Sequence, residues 1–170
     1  MPLLKRLFLL PLLISALLAT AQTDSIAPPY QRFPNVPSFR ILLGDSTTFY
    51  TKESLPKKKP LLLMLFSPEC SHCQQSAEEI VQNREALKNI QIVMVTLHPL
   101  FQMNAFAQTY GLTDLPNVVI GKDIHYLLPS FYGIHSLPNM AFYRKNGTLI
   151  RSVEGALPVE KVLQLFKAAD

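Results

Sequence analysis

Cys70 and Cys73 are the only cysteines in the chain, and they stand three residues apart in Phe66-Ser-Pro-Glu-Cys-Ser-His-Cys73. An apolar run, Leu61 to Phe66, leads into them, and a helical pattern leaves them. A strand that ends in a short turn, with C-x-x-C opening the next helix, is the arrangement of a redox-active dithiol. The spacing suits that chemistry. Cys70 falls at the helix N-cap, where unpaired backbone N–H groups and the positive end of the helix dipole favour an anion. It is the candidate attacking thiolate. Cys73 lies one turn into the helix, close enough to close a disulfide with Cys70.

Two other readings of the pair compete. C-x-x-C is also half of a zinc site, but a structural zinc needs four ligands. His72 is the only nearby candidate, while His98, His125 and His135 are scattered along the chain. A purely structural disulfide closing so short a loop gains little chain-entropy stabilisation. Chemistry is the stronger reason for the spacing.

The 170 residues suit one domain plus extras, and a hydrophobic content of 48% supports a sizeable core. Charged residues make up only 16%, which argues against a long disordered tail. Without Lys5 and Arg6, 14 basic residues face 12 acidic ones, too small a bias to indicate nucleic acid. The one basic run, Lys57 to Lys59, reads as a solvated loop.

Residues 1–21 read as a secretory signal. Lys5 and Arg6 form its charged start, Leu7 to Leu18 its apolar centre, and Ala19-Thr-Ala21 its cleavage site. The apolar run is short for a membrane span. An uncleaved N-terminal anchor is the alternative outcome. Export would place the cysteines in the periplasm or cell envelope, where disulfides persist. Residues 22–37, with Pro28, Pro29, Pro34 and Pro37, read as an extended leader or linker. The folded domain is expected over residues 38–170.

Within that domain, residues 38–43 and 47–51 suggest a β-hairpin around Gly44-Asp-Ser46. Leu61 to Phe66 and Ile90 to Leu97 are buried strands, separated by one helix over residues 71–87. Pro99 opens a second helix that Gly111 stops. A short strand over 117–120 and a brief helix over 124–132 follow. A strand over 139–144 then meets the Asn146-Gly147 turn and its partner over 148–153. Pro158 starts a last amphipathic helix. The order predicts an α/β fold, a central mixed sheet flanked by helices, with parallel pairing through a right-handed crossover.

These features resemble the thioredoxin superfamily, and within it the exported TlpA/ResA-like thiol–disulfide oxidoreductases. The signal segment, the N-terminal hairpin, Cys70-x-x-Cys73, and Tyr132-Gly-Ile-His-Ser-Leu-Pro138 with its following strand carry the resemblance. It implies a thioredoxin-like fold and a cis-proline at Pro138 facing the cysteines. It also implies that the Leu137 backbone pairs with an extended substrate strand. Protein thiols or disulfides would be the substrates, with a separate redox partner and no organic cofactor or metal.

The departures bear on tuning. Glu69 stands where the family usually has Trp, and a carboxylate there opposes thiolate formation at Cys70. Ser76 stands where many TlpA-like members carry Glu, and Glu78 stands in place of the helix proline. The dipeptide Ser71-His72 between the cysteines resembles DsbA-type oxidants, in which the histidine stabilises the reduced thiolate and makes the disulfide more oxidising. One alternative function is a copper-binding assembly factor, with His135 completing a thiolate site for Cu(I). A less favoured one is a peroxiredoxin-like antioxidant, but Ser67 and Pro68 do not form the T-x-x-C that peroxidases use.

Overall fold

The computed structural model describes residues 27–169. The signal expected over residues 1–21 lies outside the described residues. The leader begins there too, but its described part is not simply extended. A short helix α1, Pro29–Arg32, starts at two prolines, where a missing N–H costs nothing. After it, Asn35 bridges to Thr148, and Val36 N–H donates to the Gly147 carbonyl. This segment carries apolar side chains and buries them. Tyr30 packs on Tyr132, and Val36 is buried.

The strands are β1 (Arg40–Leu43), β2 (Phe49–Thr51), β3 (Leu61–Leu65), β4 (Gln91–Thr96), β5 (Val118–Lys122), β6 (Asn139–Tyr143) and β7 (Leu149–Glu154). They form one mixed sheet in the order β2-β1-β5-β4-β3-β6-β7. β3, β4 and β5 run parallel, while β6 and β7 pair antiparallel on one side and β1 and β2 on the other. The helices α2 (Ser71–Gln82), α3 (Arg84–Leu87), α4 (Leu100–Thr109), α5 (Leu127–Tyr132) and α6 (Val159–Lys167) cover the two faces.

β3 lies inside the sheet, between β4 and β6, and all five of its residues are apolar and buried. Leu62 and Met64 point to the face covered by α2, α4 and α6. Leu61, Leu63 and Leu65 point to the face covered by α5 and the N-terminal segment. Full burial of such a side chain contributes about 1.5–3 kcal/mol. On the second face the buried hydroxyls of Tyr132 and Tyr143 satisfy each other by a hydrogen bond.

One helix was expected over residues 71–87, and the structure contains two. Asn83 leaves helical geometry (φ −106°, ψ 25°), and its side-chain amide donates to the Glu79 carbonyl at 2.9 Å. A side chain that competes for backbone groups in this way favours a helix end over a helix interior.

β1 joins β5 where Gly121 allows it. A Cβ on Gly121 would lie 2.7 Å from both Ile41 Cγ1 and Cδ1 and 2.9 Å from Ile41 Cβ. Ile41 is fully buried, so it has nowhere to move. Gly121→Ala should therefore force β1 off β5 and destabilise the protein by about 1–3 kcal/mol. Urea denaturation checks this, and an unchanged midpoint would contradict the packing.

Candidate active site

The end of β3 is built by backbone geometry. Phe66 N–H donates to the Val95 carbonyl at 2.9 Å, a final rung beyond the strand. Pro68 has no N–H to continue the ladder. The chain turns instead, and the Ser67 carbonyl accepts from Cys70 N–H at 3.2 Å. Gln74 Nε2 reaches back to the Pro68 carbonyl at 2.9 Å and ties the turn to α2. Cys70 is the N-cap of α2 in extended geometry, and its carbonyl accepts from the N–H groups of Cys73 and Gln74, both at 3.0 Å.

The two cysteines have opposite surroundings. Cys70 is half-buried, and its thiol donates to the Leu137 carbonyl at 3.6 Å. Cys73 is fully buried in the cluster that holds Phe66, Ala77 and Met140. Burial pushes the Cys73 thiol up from its ordinary 9.0 to about 12, and the hydrogen bond with Cys70 adds to that rise. A backbone hydrogen bond from Ser67 opposes both.

The segment opposite Cys70 comes from the start of β6. The Leu137–Pro138 peptide bond is cis, and Pro138 is buried. Register accounts for its place. Leu65 pairs with Asn139 on β6, so the two residues before Asn139 lie beside the end of β3. Glu154, at the end of β7, holds the same loop. Its Oε1 accepts from His135 N–H at 2.8 Å and its Oε2 from Ser136 Oγ at 2.9 Å. The His135 N–H holds the Glu154 carboxyl below its ordinary value.

The remaining residues of interest separate clearly. Glu69, Ser71 and His72 are exposed on the rim beside Cys70. Ser76 is buried, and its hydroxyl donates to the His72 carbonyl at 2.9 Å. His135 is exposed. Among the described residues, no three His, Cys, Asp or Glu side chains converge as metal ligands, so His135 does not complete a set with the cysteines.

Three further residues escape a reading of the sequence. His98, just past β4, has Nε2 3.0 Å from Ser67 Oγ and Nδ1 2.8 Å from Gln102 Oε1 on α4. His98 and Leu137 line one cavity of about 80 Å³ with Phe66 and Ile134. Ser67 and His98 are 31 residues apart. The usable signal was that each follows a strand of one parallel pair.

Burial predicts unequal reactivity. In the dithiol protein, iodoacetamide near neutral pH should label Cys70 and spare Cys73, and equal labelling rates would contradict the packing. The sign of the pH effect also follows. The native value for Cys73 lies above the ordinary one, so the folded chain holds that proton more tightly than the unfolded chain. This contribution is whole below about pH 9 and is lost as the pH rises towards 12. The dithiol form should therefore lose stability against the disulfide form above about pH 9, measured as the difference between their urea midpoints.

Comparison with known proteins adds to this geometry. A family model for a thioredoxin-like domain matches residues 50–170. No curated protein matches the chain in sequence. Among solved structures, a secreted Mycobacterium tuberculosis disulfide oxidoreductase homologous to Escherichia coli DsbE is similar at a TM-score of 0.64 and 21% identity. The match covers 77% of this chain and 96% of that one. StoA from Bacillus subtilis matches with a TM-score of 0.59 and 16% identity, over 78% and 98% of the two chains. The Plasmodium vivax 2-Cys peroxiredoxin matches with 0.65 and 15%, over 79% and 93%. The last match shows that the fold alone does not select a reaction. With its mixed sheet, its C-x-x-C at the start of a helix and its family match across most of its length, the chain belongs to the thioredoxin-like domain family.

Proposed function

We propose that the protein is an exported thiol–disulfide oxidoreductase that acts on protein thiols or disulfides. The observation that carries this reading is the pairing of a half-buried Cys70 at a helix N-cap with a fully buried Cys73 behind it. One sulfur is open to a substrate and the other is kept for the second step.

In the reducing direction, the Cys70 thiolate attacks a substrate disulfide. Its sulfur bonds to one substrate sulfur, and the other leaves as a thiolate and takes a proton. Cys73 then loses its proton and attacks the Cys70 sulfur. The mixed disulfide breaks, the second substrate thiol leaves, and Cys70 and Cys73 are joined. Two electrons have passed from the dithiol to the substrate. The reverse sequence oxidises a substrate dithiol. Both directions need a separate redox partner and no organic cofactor or metal.

Leu137 and Pro138 form the substrate seat in this reading. The Leu137 carbonyl faces the Cys70 sulfur, and an extended peptide alongside would gain main-chain hydrogen bonds with little demand on its sequence. His72 and Ser71 tune the pair. A cation at His72 would stabilise the Cys70 thiolate and raise the potential, while Glu69 would act against it. Export rests on the charged, apolar and small-residue pattern of residues 1–21, and the secreted M. tuberculosis oxidoreductase is consistent with it. Retention of that segment would anchor the domain to the membrane.

Equilibration with glutathione and thiol trapping tests the proposal. A Cys70–Cys73 disulfide should form, and Cys70→Ser should abolish turnover of a peptide disulfide. Cys73→Ser should accumulate the mixed disulfide on Cys70. A wild-type protein that forms no intramolecular disulfide would overturn the reading. The same titration on His72→Ala should give a lower potential than wild type, moving towards the thioredoxin value of about −270 mV. An unchanged potential would remove His72 as the tuning group.

A further inference from the structure

Glu154 stands at the last pair of β7, opposite Asn139 on β6. The next residue, Gly155, donates its N–H to the Pro138 carbonyl at 2.8 Å. Strand pairing therefore sets the Glu154 carboxylate beside the loop that enters β6. Both of its oxygens are used. Oε1 accepts from His135 N–H at 2.8 Å, and Oε2 accepts from Ser136 Oγ at 2.9 Å. One side chain thus grips two consecutive residues, and the residue that follows them is Leu137.

The grip falls where the loop has little else. Before it, Ile134 N–H donates to the Pro129 carbonyl at 3.3 Å, a long bond within the end of α5. After it, Asn139 pairs with Leu65 and with Glu154 itself. His135 and Ser136 are exposed, so packing does not fix them. Among the described residues, the hydrogen bonds that reach these two both come from Glu154. The Leu137 side chain packs against both apolar layers, and its carbonyl faces the Cys70 sulfur. Its N–H shares one planar peptide unit with the Ser136 carbonyl, so the direction of that N–H is set together with Ser136. A carboxylate is a stronger acceptor than a neutral group, which suits a tie exposed to water.

We propose that Glu154 is a positioning residue for the substrate seat: it holds the Leu137 main chain ready to pair with an extended polypeptide, and so favours polypeptide disulfides over small ones. The proposal rests on the oxidoreductase reading and deepens it, by naming what separates the substrate classes. A substrate strand gains main-chain hydrogen bonds only from a main chain held in register with it. Were the loop free, its ordering would weaken binding. With Glu154 in place the loop is ordered before the substrate arrives. A small disulfide has no main chain to align, and it meets only the sulfurs. Glu154 makes no hydrogen bond to either cysteine, so its effect falls on binding and not on sulfur exchange.

Single-turnover kinetics of the pre-reduced protein test this, with a peptide disulfide and with bis(2-hydroxyethyl) disulfide. Glu154→Ala should raise the peptide concentration for half-maximal rate roughly three- to tenfold, the range expected when such hydrogen bonds are lost. The limiting rate with the peptide should stay within about twofold. The efficiency with the peptide relative to the small disulfide should fall by the same factor as binding. Glu154→Gln should keep most of the affinity, because its amide oxygen can accept from His135 N–H and its NH2 can donate to the Ser136 hydroxyl oxygen. Ser136→Ala should also raise the half-maximal concentration, and the double variant should be no worse than Glu154→Ala, because the two act through one tie. An unchanged peptide dependence in Glu154→Ala would overturn the proposal. So would an equal loss on both disulfides, which is the mark of a merely loosened fold, or a double variant whose defect is the product of the two. If Glu154→Ala does not fold, Ser136→Ala decides, and an unchanged half-maximal concentration there overturns the proposal. A wild-type protein that forms no Cys70–Cys73 disulfide would instead overturn the oxidoreductase reading itself.

Discussion

The site depends on the register of β3 between its two neighbours. Leu65 is opposite Val95 on one edge and Asn139 on the other. Close packing on both faces makes that register costly to change, because a slip of one residue would put side chains of the wrong shape into both apolar layers. The consequence appears just beyond the last pair. The turn that carries Cys70 must leave β3 beside the two residues that enter β6. The approach of the Cys70 sulfur to the Leu137 carbonyl is therefore a product of strand pairing. No attraction between the two groups is needed to create it, and the 3.6 Å contact adds little of its own.

The difference between the cysteines follows from the helix. Cys70 is the N-cap, outside the first turn, so its sulfur stays at the rim. Cys73 is three residues on, which brings it back over the sheet and into the core beside Phe66 and Ala77. One spacing produces an accessible sulfur and a protected one. Protection also has a chemical cost, because the core holds the proton on Cys73. A dithiol of this kind works only if something polar reaches the buried sulfur. A backbone N–H can do so without bringing a full charge into the core, where an unpaired charge is expensive.

Much of this was legible in the sequence. The continuous apolar runs of β3 and β4, the C-x-x-C at a helix start and the Asn146-Gly147 turn each have one dominant local reading, and the strands and helices fall close to it. What was not legible depends on partners remote in the chain. Ser67 and His98 meet only because their strands are parallel neighbours. Glu154 holds the His135–Ser136 loop from a strand that ends 18 residues later. The break at Asn83 rests on a side-chain hydrogen bond that helical periodicity does not encode. His135 was expected to complete a thiolate site, but it is exposed, and its backbone N–H, not its imidazole, donates to Glu154.

The same fold serves a 2-Cys peroxiredoxin and disulfide oxidoreductases, so the residues around the sulfur must separate the reactions. A peroxide is small and needs donors gathered at one point around a single thiolate. A protein disulfide is large, and it needs an open flank, a strand-like edge and a second thiol within one turn. On the proposed reading, the surroundings of Cys70 serve the second set of demands. Its flank is formed by exposed Glu69, Ser71 and His72, its edge by the Leu137 backbone, and its second thiol by Cys73. The polar side chains that do gather nearby, Ser67, His98 and Gln102, bind one another and the backbone.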